Sequence, residues 1–169
     1  MDSQIKIYKN VLDKQTYENI YEQITSSDIA WFKVRILDEK NQHQFIHKLY
    51  FENNVTSTYF ETFIPLYDKL DIKVFSRVKL NCNWKQPKNE QLGGLHYDFL
   101  WNENPVENVN VAIFYLNTTN GSTLIEENNK LVEVKCEANS LVVFPNTYKH
   151  TGTSHTDEPF RYVLNLNYI

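Results

Sequence analysis

Two cysteines, four glycines and one methionine in 169 residues are few, and the shortages exclude more than they allow. Cys82 and Cys136 lie far apart with no metal-ligand spacing, which excludes a disulfide framework and leaves two reduced thiols. Glycine is scarce, and no repeat, low-complexity tract or linker interrupts the chain. No apolar run is long enough to cross a bilayer, so no membrane partner is expected. The start, Met1-Asp2-Ser3-Gln4-Ile5-Lys6, lacks the apolar core and small-residue cleavage site of a signal peptide. A cytoplasmic location is the resulting expectation. There is no Lys/Arg block, and the net charge is −4, which argues against a large phosphate-tracking surface and makes nucleic acid an unexpected partner.

What is present is an ordinary soluble composition, 41% hydrophobic and 22% charged, on a chain long enough for a core without staples. One domain spanning 1–169 is expected. Eleven Tyr and ten Phe suit a β-rich core, because aromatic side chains pack well on pleated surfaces. Residues 4–9 read as a strand, and Asp13 as the N-cap of a helix over 14–25 with Tyr17, Ile20, Tyr21 and Ile24 on one face. Residues 30–36 and 43–50 read as extended. A second helix is predicted over 57–70, burying Tyr59, Phe60, Phe63, Ile64 and Tyr67.

Beyond residue 71 the pattern is of strands, at 72–84, 96–99, 109–117, 122–126, 130–136, 138–145 and 160–169. Asn120-Gly121 reads as the turn of a hairpin, and Asn128-Asn129 as another turn. Loops 84–94 and 100–108 flank the second of these segments, 96–99, and are candidate lids. The expected fold is mainly β with N-terminal helices, an α+β, closed or two-sheet antiparallel structure with helices on one outer face.

The chemistry concentrates in His96-Tyr97-Asp98, His150 and Arg161. On an extended strand His96 and Asp98 project to the same side. Two imidazoles and one carboxylate cap one face of an Fe(II) octahedron and leave the opposite positions open. The triplet alone is a weak signal, as any short motif is. His150 follows the apolar segment Leu141–Pro145, at a strand end or rim, where a jelly roll brings distant strands together. In the last strand, period two puts Tyr162, Leu164, Leu166 and Tyr168 on one face and Arg161, Val163, Asn165 and Asn167 on the other. An inward guanidinium needs an anion, from the protein or from a ligand. His43, His47 and His155 read as solvent or packing histidines.

With these residues the chain resembles the Fe(II)- and 2-oxoglutarate-dependent dioxygenases of the prolyl-4-hydroxylase type. The resemblance is carried by His96-x-Asp98, by Asn139–Phe144 leading to His150, and by Arg161 eleven residues later. Val111–Asn117 with Asn120-Gly121 looks like the family's central strand pair, and the N-terminal half is similar to small phage-encoded members. A departure is Gly121-Ser122 where many members have a glycine pair. The resemblance implies a double-stranded β-helix (jelly roll), with His96, Asp98 and His150 as metal ligands and Arg161 gripping the distal carboxylate of 2-oxoglutarate. Asn81 and Asn83 would add polar contacts to that co-substrate, and Tyr97 and Trp101 would shape the mouth. Fe(II), 2-oxoglutarate and O2, with ascorbate as a further candidate, are the implied cofactors. The implied reaction is hydroxylation of a protein prolyl or other side chain, or of a small molecule, in the cytoplasm or in a host's cytoplasm for a phage-encoded chain. The alternative is a non-catalytic jelly-roll module that binds a metal or small ligand.

Overall fold

In the computed structural model, residues 3–26, 28–36 and 42–169 are described, and they form mainly antiparallel β-structure with two short helices. The first part of the chain comprises β1 (Lys6–Lys9), α1 (Lys14–Thr25), β2 (Phe32–Arg35), β3 (His43–Phe51) and β4 (Asn54–Val55). A 3₁₀ turn over Thr58–Phe63 then leads into α2 (Ile64–Tyr67) and β5 (Phe75–Trp84). The middle holds β6 (Gln91–His96), β7 (Leu100–Trp101), β8 (Asn104–Pro105), β9 (Asn110–Tyr115) and β10 (Ser122–Glu127). The chain closes with β11 (Lys130–Lys135), β12 (Ser140–Pro145), β13 (His150–Thr153) and β14 (Phe160–Tyr168).

A large sheet runs β1-β12-β9-β14-β5-β3-β2, with β4 added to β3, and a smaller one runs β11-β10-β13-β6. Sequence-distant strands are thus neighbours, as a jelly roll requires. Alternate residues of the large sheet enter two separate cores. Ala112 and Phe114 of β9 and Leu164 and Leu166 of β14 join Ile20 and Ile24 of α1 and Phe63, Leu66 and Tyr67. Their neighbours Val111, Ile113, Tyr115 and Val163 meet Ile125 and Val134 of the smaller sheet, together with Val142 and Phe144. None of the described helices is long and apolar enough to cross a membrane.

Helix α1 begins where the cap predicts: Asp13 accepts a hydrogen bond from the Thr16 backbone N–H at 3.0 Å. The predicted second helix is different. Pro65 has no N–H to donate and stands at the start of α2, so Thr58–Phe63 winds as a tighter 3₁₀ turn. Phe63 and Tyr67 of the predicted stripe are buried, with Tyr59 and Phe60 packed against them, but the change of pitch turns Ile64 outward to 48% exposure and buries Leu66 fully.

The Asn120-Gly121 hairpin is also corrected. β9 and β10 lie in different sheets, so this segment crosses between them. The Asn120 amide is held by Thr156 (to its Oγ1 at 2.7 Å, from its N–H at 2.9 Å), and its backbone N–H donates to Asp157 at 2.7 Å. A Cβ on Gly121 would stand 3.1 Å from the Ser154 carbonyl oxygen, so this glycine serves close approach between loops. The hairpin signal is real at Asn128-Asn129, where φ values of 52° and 60° form the turn between β10 and β11.

Candidate metal centre

β6 and β13 are antiparallel neighbours, and their register sets His96 directly opposite His150. The ring centroids are 4.9 Å apart. His96 is the last residue of β6, and Asp98 lies past the strand in a bend. The expected strand over 96–99 is therefore displaced. β6 starts inside the predicted loop 84–94, and the bend after it turns the carboxylate toward the histidines. Loop 100–108 likewise contains the small β7–β8 hairpin, with Trp101 at 75% exposure.

One ligand atom from each of His96, Asp98 and His150 lies within 4.8 Å of the others. His96 Nε2 is 3.8 Å from Asp98 Oδ1, and His150 Nε2 is 3.8 Å from Asp98 Oδ2. These distances are too long for hydrogen bonds, so the three donors face a common gap instead of satisfying one another. His96 Nδ1 sits 3.1 Å from the Gly94 carbonyl oxygen and donates to it, which leaves Nε2 as the nitrogen on the Asp98 side. Burial, then the nearby His96, Lys79 and Arg77, lowers the His150 imidazole to about 4 and keeps it neutral. Two imidazole nitrogens and an ionised carboxylate across a small gap fit a divalent transition metal.

Asp98 is only 4% exposed, yet it is held as a carboxylate. Burial alone would raise its pKa, but Arg77, 2.8 Å away, the nearby Lys79 and the amide donated by Asn167 outweigh burial and keep it well below the usual carboxylate range. Asn165 and Asn167 each donate a side-chain N–H to Oδ2, at 3.1 and 3.0 Å. Arg77 Nε in turn donates to the Asn167 amide oxygen at 3.0 Å. These partners fix the carboxylate before any ion arrives.

A cavity of about 100 Å³ joins this group to Arg161, Asn81 and Asn83. Arg161 is buried, donates from Nη1 to the Thr153 carbonyl oxygen at 2.8 Å, and lies 6.0 Å above the Tyr115 ring. Among the described residues it meets no acidic partner, and its Nε has no acceptor. The amide oxygens of Asn81 and Asn83 are buried without partners as well. Three polar groups thus point into one cavity with unused hydrogen-bonding capacity, an arrangement that suits a small polar ligand.

A second cavity of about 260 Å³ opens on the same His96 and Asp98 and is lined by Arg35, Arg77, Lys79 and Tyr97. Arg77, Lys79, Asn165 and Asn167 were not among the expected site residues. Their signal was the alternation itself: Arg77 and Lys79 interleave with the buried Val78 and Leu80. The remaining histidines divide. His47 bridges the Ala30 carbonyl and Ser57 at 2.6 and 2.7 Å, a packing role. His155 is fully buried, not solvent-facing, and neither ring nitrogen has a hydrogen-bond partner among the described residues. Cys82 and Cys136 are buried free thiols, and burial pushes Cys82 up to about 12.

No protein-family model matches this chain, and no curated protein matches it in sequence. Solved structures do match in fold. A 2OG-Fe(II) oxygenase-family oxidoreductase from Burkholderia pseudomallei aligns with a TM-score of 0.73 at 12% identity, covering 98% of this chain and 84% of that one. The prolyl hydroxylase of Trichoplax adhaerens, solved with a hypoxia-inducible-factor peptide fragment, gives 0.70 at 13% identity, with 98% and 83% covered. HygX from Streptomyces hygroscopicus, solved with nickel and 2-oxoglutarate, gives 0.68 at 10% identity, with 98% and 82% covered. The chain has the fold of the prolyl-hydroxylase-like 2OG-Fe(II) oxygenases.

Proposed function

We propose that the chain is a single Fe(II)- and 2-oxoglutarate-dependent dioxygenase domain that hydroxylates a C–H bond of a protein side chain, a prolyl residue first, or of a small molecule. The observation that carries this reading is the convergence of His96, Asp98 and His150 at one end of a cavity whose other wall holds Arg161, which among the described residues has no acidic partner. An Fe(II) ion on those three residues, with 2-oxoglutarate, supplies O2-dependent hydroxylation coupled to decarboxylation of the co-substrate to succinate. His96 and His150 offer imidazole nitrogens, and Asp98 offers a carboxylate whose orientation Arg77, Asn165 and Asn167 preset. Arg161 holds the distal carboxylate, its guanidinium anchored by Thr153, while Asn81 and Asn83 orient the co-substrate from the same wall. The apolar residues around the cavity, Ile113 and Val163 among them, exclude water. The solved relatives bound to a peptide or to nickel and 2-oxoglutarate support this reading of the pocket.

The test is direct. Under anaerobic conditions, Fe(II) with 2-oxoglutarate is expected to give the weak visible band of the chelate, and air is expected to release succinate. His96→Ala is expected to abolish iron binding, whereas Arg161→Ala weakens 2-oxoglutarate far more than iron. Absence of both the band and succinate from the wild-type protein sinks the proposal.

A further inference from the structure

The two cavities that meet at His96 and Asp98 carry a charge opposite to that of the chain. The chain as a whole is −4. Among the described residues, the lining holds four cations, Arg35, Arg77, Lys79 and Arg161, against the single carboxylate of Asp98. Under the function proposed above, a dication and a dianionic co-substrate cancel, so loading the centre leaves the excess in place. Arg161 is used by the co-substrate, and Arg77 is paired to Asp98 at 2.8 Å. Arg35 is exposed at the rim. Lys79 is left over.

Its placement is specific. Lys79 stands on β5 between Arg77 and Asn81, opposite Asn165 of β14, and it lines both cavities, as His96 and Asp98 do. Its cross-strand neighbour on β3 is Lys48, whose ammonium lies 4.0 Å over the Phe51 ring and brings no negative charge. Among the described residues Lys79 forms no ion pair. Half-buried beside Arg77 and Lys48, with the nearby Asp98 carboxylate already paired to Arg77, this ammonium is poorly stabilised until a further anion joins it. The second cavity, at about 260 Å³, is the size of an amino-acid side chain or small molecule rather than of a nucleotide or an extended polymer.

The geometry points to Lys79 as a substrate-recognition residue, and to a substrate that presents a carboxylate to it beside the metal centre. This rests on the dioxygenase reading and adds the substrate class. The carboxylate belongs either to a free small acid or to an acidic group on a peptide, and Arg35 at the rim draws it in.

The experiment uses the full chain with Fe(II) and saturating 2-oxoglutarate under anaerobic conditions, with the visible band as the reporter. Probes are matched pairs differing only in a carboxylate: L-proline and L-leucine against their amides, and N-acetyl-glutamyl methylamide against its glutaminyl counterpart. At least one carboxylate probe is expected to perturb the band at about tenfold lower concentration than its amide, as a charge-assisted contact allows. That preference should vanish in Lys79→Met and persist in Lys79→Arg, while 2-oxoglutarate affinity stays near wild type in both. Lys79→Gln serves if Lys79→Met does not fold. The pair that responds tells a free acid from a peptide side chain. Three outcomes overturn the assignment: no probe bound better as the acid, a preference that survives loss of the Lys79 charge, or 2-oxoglutarate lost with Lys79 as it is with Arg161. Failure of the dioxygenase reading looks different, because the band is then missing before any probe is added.

Discussion

The two faces of the large sheet are made by alternate residues of the same strands, and they solve opposite problems. On β14, Leu164 and Leu166 sit fully buried in the apolar core beside Phe114, where each contact adds dispersion and removes hydrocarbon from water. One residue away, Arg161, Asn165 and Asn167 are as deeply buried, but they surround Asp98 or a cavity. Among the described residues, Arg161 Nε and Asn165 Oδ1 on this face have no partner. A closed face can be satisfied by its own chain; an open one leaves polar capacity for a ligand, and costs stability until the ligand is bound.

The sharpest way to break this contrast is on the closed face. Phe114→Ala is expected to destabilise the protein by about 3–5 kcal/mol in urea unfolding, from lost transfer energy and a cavity that cannot collapse. The folded fraction should still bind Fe(II) and 2-oxoglutarate, since the side chain lies on the far side of the sheet. Loss of both together would show that the faces are not independent.

The open face should instead respond to protons. His150 stays neutral in the folded state down to about 4 because burial opposes its charge, whereas the unfolded chain protonates near its usual 6.5. Between those values the unfolded state binds more protons, so stability is full above about 6.5 and falls as the pH drops toward 4. The loss is at most about 3 kcal/mol for this group. His155, which burial also shifts downward, adds the same sign, so His150→Asn is expected to shrink the slope in metal-free protein rather than remove it. An unchanged slope would mean that His150 is not the buried neutral group described.

Arg77 tests the same face by charge. Arg77→Met leaves the Asp98 carboxylate buried without its cation, expected to cost about 2 kcal/mol, reduced from a fully buried pair because Arg77 is one-fifth exposed. A divalent metal supplies the missing counter-charge, so its stabilising effect should be larger on the variant than on wild type. Equal stabilisation of both would remove the electrostatic role.

Much of this division was legible in the sequence. Period two sorted β14 into its two faces, Asp13 marked the start of α1, and the order His96, Asp98, His150, Arg161 pointed to the residues that the fold gathers into two joined cavities. What failed was local geometry set by distant contacts. Asn120-Gly121 has hairpin chemistry, but loop 154–157 takes up its hydrogen-bonding groups and its missing side chain. Pro65 altered a helix whose apolar period still looked regular. The partners of Asp98 were hidden for a related reason: Arg77 is 21 positions before it and Asn165 and Asn167 are 67 and 69 after it, and only sheet register unites them.

The smallest effect is also the finest test of the two faces. Tyr115 neighbours Phe114 in sequence but points between the sheets, where its hydroxyl donates to Thr123 Oγ1 at 2.7 Å and its ring lies beneath Arg161. Tyr115→Phe keeps the ring, so packing and the contact with the guanidinium survive; one buried hydrogen bond is lost. The expected cost is about 1 kcal/mol, several times less than Phe114→Ala, with co-substrate affinity near wild type. Urea unfolding and the Fe(II)–2-oxoglutarate band read both quantities on the same sample. A cost equal to that of Phe114→Ala would mean that the inner face is held by its polar network as firmly as the outer face is by its hydrocarbon.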